Sequence, residues 1–357
     1  MSRFTRRNAL RFLGTASSLL VLPPKGFGFK EPEFPRGAII RTVLKDIHPS
    51  ELANGATLFH EHMSLSSAYN NKIRAKTAQG RGLSAPPSEP TYFMEDMGLM
   101  VEELAAAKKD GVACLVDGGH PDMGRSVEFL KQISSRSGMP IVASGGYYTE
   151  PFYPPEISTM SEDQIARELM HQTQTEPLGA FGEIGSWDEI TDVERKVFRA
   201  VAKAHVATNL PIFTHTGVPG KSALEQLDIL ESHGVKPQHL VIGHLGNLVD
   251  PQVKVHKEIC KRGAYVGFDR QGGNNDDRQV PMVMALVDAG YADHILLSSD
   301  FANAGQLKRN GGRGYAKTVT VFGPKLQSAG MSEQMLHGIL VDNPRRFLAF
   351  VPKQARS

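Results

Sequence analysis

From Ala56 onward, short apolar runs alternate with longer amphipathic stretches. The runs are Thr57–Phe59, Ala113–Val116, Ile141–Ala143, Ala180–Phe181, Pro211–Phe213, Leu240–Ile242, Tyr265–Phe268 and Ile295–Leu297. Between them, apolar residues recur at i, i+3 and i+4, the spacing of one helix face. This predicts helices over Met94–Lys109, Ser161–His171, Thr191–Ala207, Ala223–Ser232, Pro251–Arg262, Pro281–Ala289 and Ser332–Val341. In Thr191–Ala207, Thr191 and Glu194 fit a capping box, and Val193, Val197, Val201 and Ala204 share one face. Strands alternating with helices predict βαβ units and a parallel sheet. Eight such runs favour an α/β protein closed as a (β/α)8 TIM-type barrel over an open sheet. Ala38–Ile40 and Thr42–Leu44 predict a short N-terminal β extension. The stretch from Ser66 to Pro90 has no periodicity and contains Pro86-Pro87, so it reads as a long loop, a lid or a disordered segment. Gly311-Gly312-Arg313-Gly314 is a second flexible segment and lacks the spacing of a phosphate-binding loop.

The chain divides into a signal and linker over residues 1–35, a barrel over 36–350 and a tail over 351–357. Arg6-Arg7 precede an apolar run from Phe12 to Leu22, which is too short to span a bilayer and has the form of a signal peptide. The paired arginines resemble the twin-arginine export signal, so a periplasmic protein is expected, anchored to the membrane if the signal stays uncleaved. No other run is long and apolar enough to span, so no membrane span is expected in the mature chain. Composition fits a globular protein, with 40% hydrophobic and 22% charged residues. Forty basic and 38 acidic residues nearly cancel, and no basic run suggests nucleic-acid binding. Cys114 and Cys260 form no C-x-x-C pair and read as buried thiols.

In a parallel barrel, working side chains collect at the C-terminal ends of the strands. The first run ends in His60-Glu61-His62, where strand alternation turns both imidazoles inward and Glu61 away. The fourth run ends in Glu183, the fifth in His215, the sixth in His244 and the eighth in Asp300. Four imidazoles and two carboxylates on one rim suit two divalent ions, zinc first, with manganese, iron or cobalt as alternatives. Two such ions can share a hydroxide that is nucleophilic near neutral pH. A lone strand-end histidine is weak evidence, and joint placement on five strands is what points to metal. Of the other histidines, only His120 follows a strand.

Several motifs resemble the phosphotriesterase family of the amidohydrolase superfamily over nearly the whole chain after the signal. They are Phe59-His60-Glu61-His62, Gly182-Glu183-Ile184-Gly185, Phe213-Thr214-His215-Thr216, Ile242-Gly243-His244-Leu245-Gly246, Gly267-Phe268-Asp269-Arg270, Leu297-Ser298-Ser299-Asp300 and Asp342-Asn343-Pro344-Arg345-Arg346. The resemblance implies one metal on His60, His62 and Asp300, the other on His215 and His244, and a bridging carboxylate. Many members bridge with a carboxylated lysine. Here Glu183 stands at that position, as in the phosphotriesterase-homology branch, which weakens the expectation of a phosphotriester substrate. The family's lactonases place a tyrosine after the third strand and an arginine after the seventh. Tyr147 and Arg270 hold similar positions and are the expected substrate contacts. Packing on the rim and an ion pair are their respective alternatives.

The sequence thus predicts an exported binuclear hydrolase of a small-molecule substrate, with Glu183 holding both ions and Asp300 accepting a proton. A lactone or carboxylic ester is favoured and a phosphotriester is within range. Amide or other C–N hydrolysis, and a non-catalytic metal-binding barrel, stand as alternatives. A homodimer stays open.

Overall fold

The computed structural model describes residues 32–353 except 218, 219 and 273. The expected signal at Thr5–Leu22 lies outside the described residues. A two-stranded antiparallel hairpin, β1 (Ile40–Arg41) and β2 (Asp46–Ile47), comes first. Eight parallel strands follow: β3 (Ala56–Glu61), β4 (Val112–Asp117), β5 (Ile141–Gly145), β6 (Leu178–Ser186), β7 (Ile212–Thr216), β8 (Leu240–Ile242), β9 (Tyr265–Phe268) and β10 (Ile295–Leu297). They pair in sequence order from β3 to β10. The sheet closes where the Asp300 N–H donates to the His60 carbonyl (3.1 Å) and the His60 N–H to Ser298 Oγ (3.0 Å). This is the (β/α)8 barrel that the alternation predicts.

Both faces of the barrel strands are covered, so their residues are nearly all buried and their sequences read as continuous apolar runs. Phe59, Val116, Val142, Ala180, Phe213, Val241 and Leu296 meet Ile40 and Ile47 of the hairpin and Phe347 and Leu348 near the C-terminus in one core. Hairpin and terminal helix therefore close one end of the barrel, and the Val43 N–H bonds the Ile141 carbonyl there (2.8 Å). The opposite end is left for chemistry. Both cysteines are buried and unpaired, as expected.

The helix Asp192–Thr208 starts at Thr191 with the predicted capping box, and the helix Ala223–Ser232 has the predicted bounds. Three helices depart from expectation. A segment over Val127–Ser137, capped by Ser126 and ended by left-handed Gly138, was not anticipated. The helix expected from Pro281 begins at Asn274 and carries Pro281 in its middle. Within the expected loop Ser66–Pro90, residues Ser67–Gly80 form helix α1, whose cap Ser66 accepts from the Tyr69 N–H. Glu89 folds the rest of the segment back onto α1. Its side chain meets Arg74 (2.6 Å), and its backbone exchanges two 2.8 Å bonds with Asn71.

His205 of the helix Asp192–Thr208 is buried, bonds the Leu210 carbonyl at 2.7 Å, and is pushed by burial from 6.5 to about 4. The unfolded chain therefore binds the proton first. The stabilisation is complete above pH about 6.5 and is lost as pH falls towards 4, on the order of 3 kcal/mol in all. Urea unfolding at pH 7.5 and 5 should show a smaller acid loss in His205→Gln than in the parent. An equal loss in both would remove His205 as the cause.

Candidate metal centre

Each side chain singled out at a strand end points into the open end of the barrel. Strand β3 delivers His60 and, one step past its end, His62. Glu61 faces the other way, as alternation requires. Its buried carboxylate accepts from Ser298 Oγ (2.7 Å), the Ser299 N–H (2.8 Å) and the Phe301 N–H (2.9 Å), tying the first strand to the loop after the last. Glu183 of β6 lies at the centre. Its Oε2 is 2.8 Å from His215 Nδ1, 3.3 Å from His60 Nε2 and 3.4 Å from His244 Nε2, and its Oε1 is 3.2 Å from His62 Nε2. Asp300 Oδ1 sits 3.2 Å from His62 Nε2 and 3.9 Å from His60 Nε2. His244 (φ 59°) and Asp300 (φ 46°) both hold left-handed backbone, a conformation that costs energy in non-glycine residues and clusters at working sites.

Two of these sets could hold a cation: His60, His62 and Glu183, and Glu183, His215 and His244. Glu183 belongs to both. His60 Nε2 is buried and has no hydrogen-bond partner, although it faces two carboxylates. A third set joins His60 and His244 to Asp269. Here the carboxylate occupies the far side of both rings, Oδ2 at 2.9 Å from His60 Nδ1 and Oδ1 at 2.8 Å from His244 Nδ1. Both rings thus keep the proton on Nδ1 and direct an Nε2 lone pair inward, the usual way an outer carboxylate sets a ligating histidine. Neutral imidazoles and carboxylates with inward lone pairs fit divalent zinc-like ions. Sequence reasoning gave Asp269 no role. The signal was available in that two inward histidines need an acceptor behind them, and Asp269 ends the neighbouring strand.

Burial depresses His60, but Glu183 and Asp269 lift it well above 6.5, so a cation entering this set displaces protons from the imidazoles. Burial alone would raise Glu183, but His60 and His215 hold it well below the usual carboxylate range. Burial also opposes ionisation of Asp300, which Arg270 and His62 override, keeping it low. His62 is depressed by burial, yet its bonds to Asp300 and Glu183 lift it to about 9. Burial and neighbouring His244 push His215 down to about 4.

Arg270 reaches the site as expected. Its Nε lies 3.0 Å from Asp300 Oδ2 and a terminal nitrogen 3.0 Å from His244 Nε2, so the ion-pair alternative holds within the site itself. Tyr147 does not point there, and its ring packs edge-on against Tyr153. The adjacent Tyr148 takes that place, with its hydroxyl 3.3 Å from His215 Nδ1. The cause is Gly146, whose φ of 135° breaks strand alternation just before the pair and whose added Cβ would lie 2.3 Å from Ile184. Tyr148→Phe should lower kcat/KM about tenfold and Tyr147→Phe less than twofold. The reverse order in steady-state kinetics would restore Tyr147. Helix α1 adds Tyr69, edge-on to Tyr148 at 6.0 Å, and its hydroxyl is raised well above 10 by burial and by Tyr148 and Glu183. His120 is fully buried, its Nδ1 3.5 Å from Asp122 Oδ1, and neither ring nitrogen makes a hydrogen bond among the described residues.

Among the described residues, no helix is long and apolar enough to cross a membrane. The chain is similar to the phosphotriesterase homology protein of Escherichia coli, 32% identical over 82% of this chain and 97% of that one. The crystal structure of that protein, with phosphate in its active site, superposes with a TM-score of 0.73. The N-acetyltaurine hydrolase of Mus musculus is 27% identical, covering 87% of this chain and 98% of its own. A lactonase from Listeria monocytogenes has a TM-score of 0.73 at 27% identity, covering 87% of this chain and 98% of that one. The profile of the phosphotriesterase family matches residues 38–348, the barrel with its metal-suited rim, and the chain is accordingly an enzyme of that family, a hydrolase.

Proposed function

We propose that the protein hydrolyses a carboxylic ester, with lactones favoured, on a binuclear site held by His60, His62, Glu183, His215, His244 and Asp300. The observation that carries this reading is Glu183 lying within 3.4 Å of an imidazole nitrogen from four different histidines. Zinc is the first choice for this nitrogen and oxygen set. When bound, the ions supply Lewis acidity that activates water and polarises the acyl oxygen. The chain's own groups do the rest. Asp269 fixes the tautomers of His60 and His244. Asp300 keeps Oδ2 against Arg270 and presents Oδ1 to accept the proton of the attacking water. The Tyr148 hydroxyl and the free edge of Arg270 orient the acyl group, and the rings of Tyr69, Tyr148 and Phe152 restrict water on one side.

Amide hydrolysis is the second reading, and the N-acetyltaurine hydrolases among the relatives favour it. Measured metal content should come to about two ions per chain. In a panel of lactones, aryl esters, N-acyl amines and phosphotriesters, lactones and esters should exceed the others in kcat/KM by at least about tenfold. A lead for N-acyl amines would put the amide reading first, and inertness across the panel would leave a non-catalytic barrel. Export by the twin-arginine route is part of the same reading. Replacing Arg6 and Arg7 with lysine should leave the protein in the cytoplasmic fraction, and unchanged fractionation would refute that route.

A further inference from the structure

Helix α1 places Tyr69, Lys72 and Lys76 at i, i+3 and i+7, which is one face of a helix. That face meets the aromatic wall of the site. Lys72 Nζ lies 5.0 Å from the centre of the Phe152 ring, and Lys76 Nζ lies 5.8 Å from that of Trp187. Phe152 packs on both Tyr69 (5.1 Å) and Tyr148 (5.4 Å), and Trp187 stands edge-on 5.3 Å from the His215 ring. Both ammonium groups are thus one aromatic ring away from residues at the metal centre. Neither forms an ion pair among the described residues, whereas Arg270 is engaged with Asp300. Glu194, which shares the field of Lys76, is committed to the N–H groups of Thr191 and Glu150. Among the described residues, the buried indole N–H of Trp187 also lacks a hydrogen-bond partner. This side of the site therefore carries two cations outside any ion pair, each over an aromatic ring, and an indole N–H without a hydrogen-bond partner among the described residues.

We propose that Lys72, Lys76 and the Trp187 indole N–H hold an anionic head group, a carboxylate or sulfonate, on the part of the substrate remote from the scissile acyl bond. This deepens the acyl-hydrolase reading and rests on it only in treating the held group as part of that substrate. Two partly exposed cations support about a tenfold preference for the charged substrate, weakening as salt screens them.

Trp187 is the sole tryptophan of the chain, so its fluorescence reports occupancy without turnover. Propionate, ethanesulfonate and neutral propionamide would be titrated into the metal-replete full chain and into Lys72→Gln/Lys76→Gln and Lys72→Arg/Lys76→Arg. Two substrates, the para-nitrophenyl monoester of glutarate and its neutral methyl ester, would be compared by steady-state kinetics. A saturable signal with either anion and none with propionamide is expected, lost in the glutamine pair and kept in the arginine pair. The charged monoester should be preferred about tenfold, and the preference should fall to about twofold in the glutamine pair. The anion that binds more tightly identifies the head group. An absent anion signal, one that survives the glutamine pair, or equal use of the two esters overturns the proposal. Saturable anion binding without cleavage of either ester would instead sink the acyl-ester reading and leave the anion site standing.

Discussion

Glu183→Gln is expected to lower bound metal from about two ions per chain to below one, and to cut kcat/KM by at least about a thousandfold. Among the described residues, no other carboxylate approaches four imidazoles, at distances from 2.8 to 3.4 Å. The substitution keeps the shape but removes the negative charge shared by the two candidate cation sets, and it turns one oxygen into an N–H donor facing ring nitrogens. Two cations cannot sit side by side without an anion between them. Glu183→Asp keeps the charge on a shorter arm and should fall between the two. Elemental analysis after gel filtration, with kinetics at saturating added zinc, reads both effects. A glutamine variant with two ions and near-parental kcat/KM would refute the central role of this residue.

Asp269→Asn should weaken metal retention by about 10- to 100-fold, with activity largely recovered in excess metal. The carboxylate accepts from both imidazole N–H groups and also from the His244 backbone N–H (3.1 Å). An asparagine has one oxygen to offer the two rings. The ring facing its NH2 group must carry its proton on Nε2 instead, where no lone pair is then left for a cation. Burial opposes ionisation of Asp269, but His244 and His60 hold it well below the usual range, so the bridge persists throughout the neutral region. Chelator competition against the parent gives the ratio. Equal retention in the two proteins would show that the bridge is ordinary packing.

The barrel and its six inward groups were legible because two simple periodicities coincide. Apolar runs mark strands, and the first polar residue that can bind metal after each run marks the rim. Glu61 shows the same rule at work, since parity alone turns it outward. That rule stops where the strand stops. Gly146 resets the direction of the chain, so counting forward from β5 selects Tyr147 when Tyr148 is the residue that turns in. Asp269 was hidden for another reason. It ends a strand run like the other rim residues, but it faces the backs of two rings, and strand position alone does not say that Asp269 meets His60 and His244. Helix α1 was hidden because it has no apolar stripe. Its only buried residues are Tyr69 and Asn70, and a serine cap with the Glu89 clasp takes the place of hydrophobic patterning.

Helix α1 also separates two kinds of change. It is one uninterrupted stretch between the first barrel strand and the next helix, clasped to itself by Glu89 and reaching the centre through Tyr69. Rewriting its inward face alters what the mouth accepts while leaving the rim and the eight-stranded frame untouched. The fourteen consecutive positions of this helix thus form one contiguous part of the mouth, set apart in the chain from the loops that bring Tyr148 and Arg270 to the metal ligands.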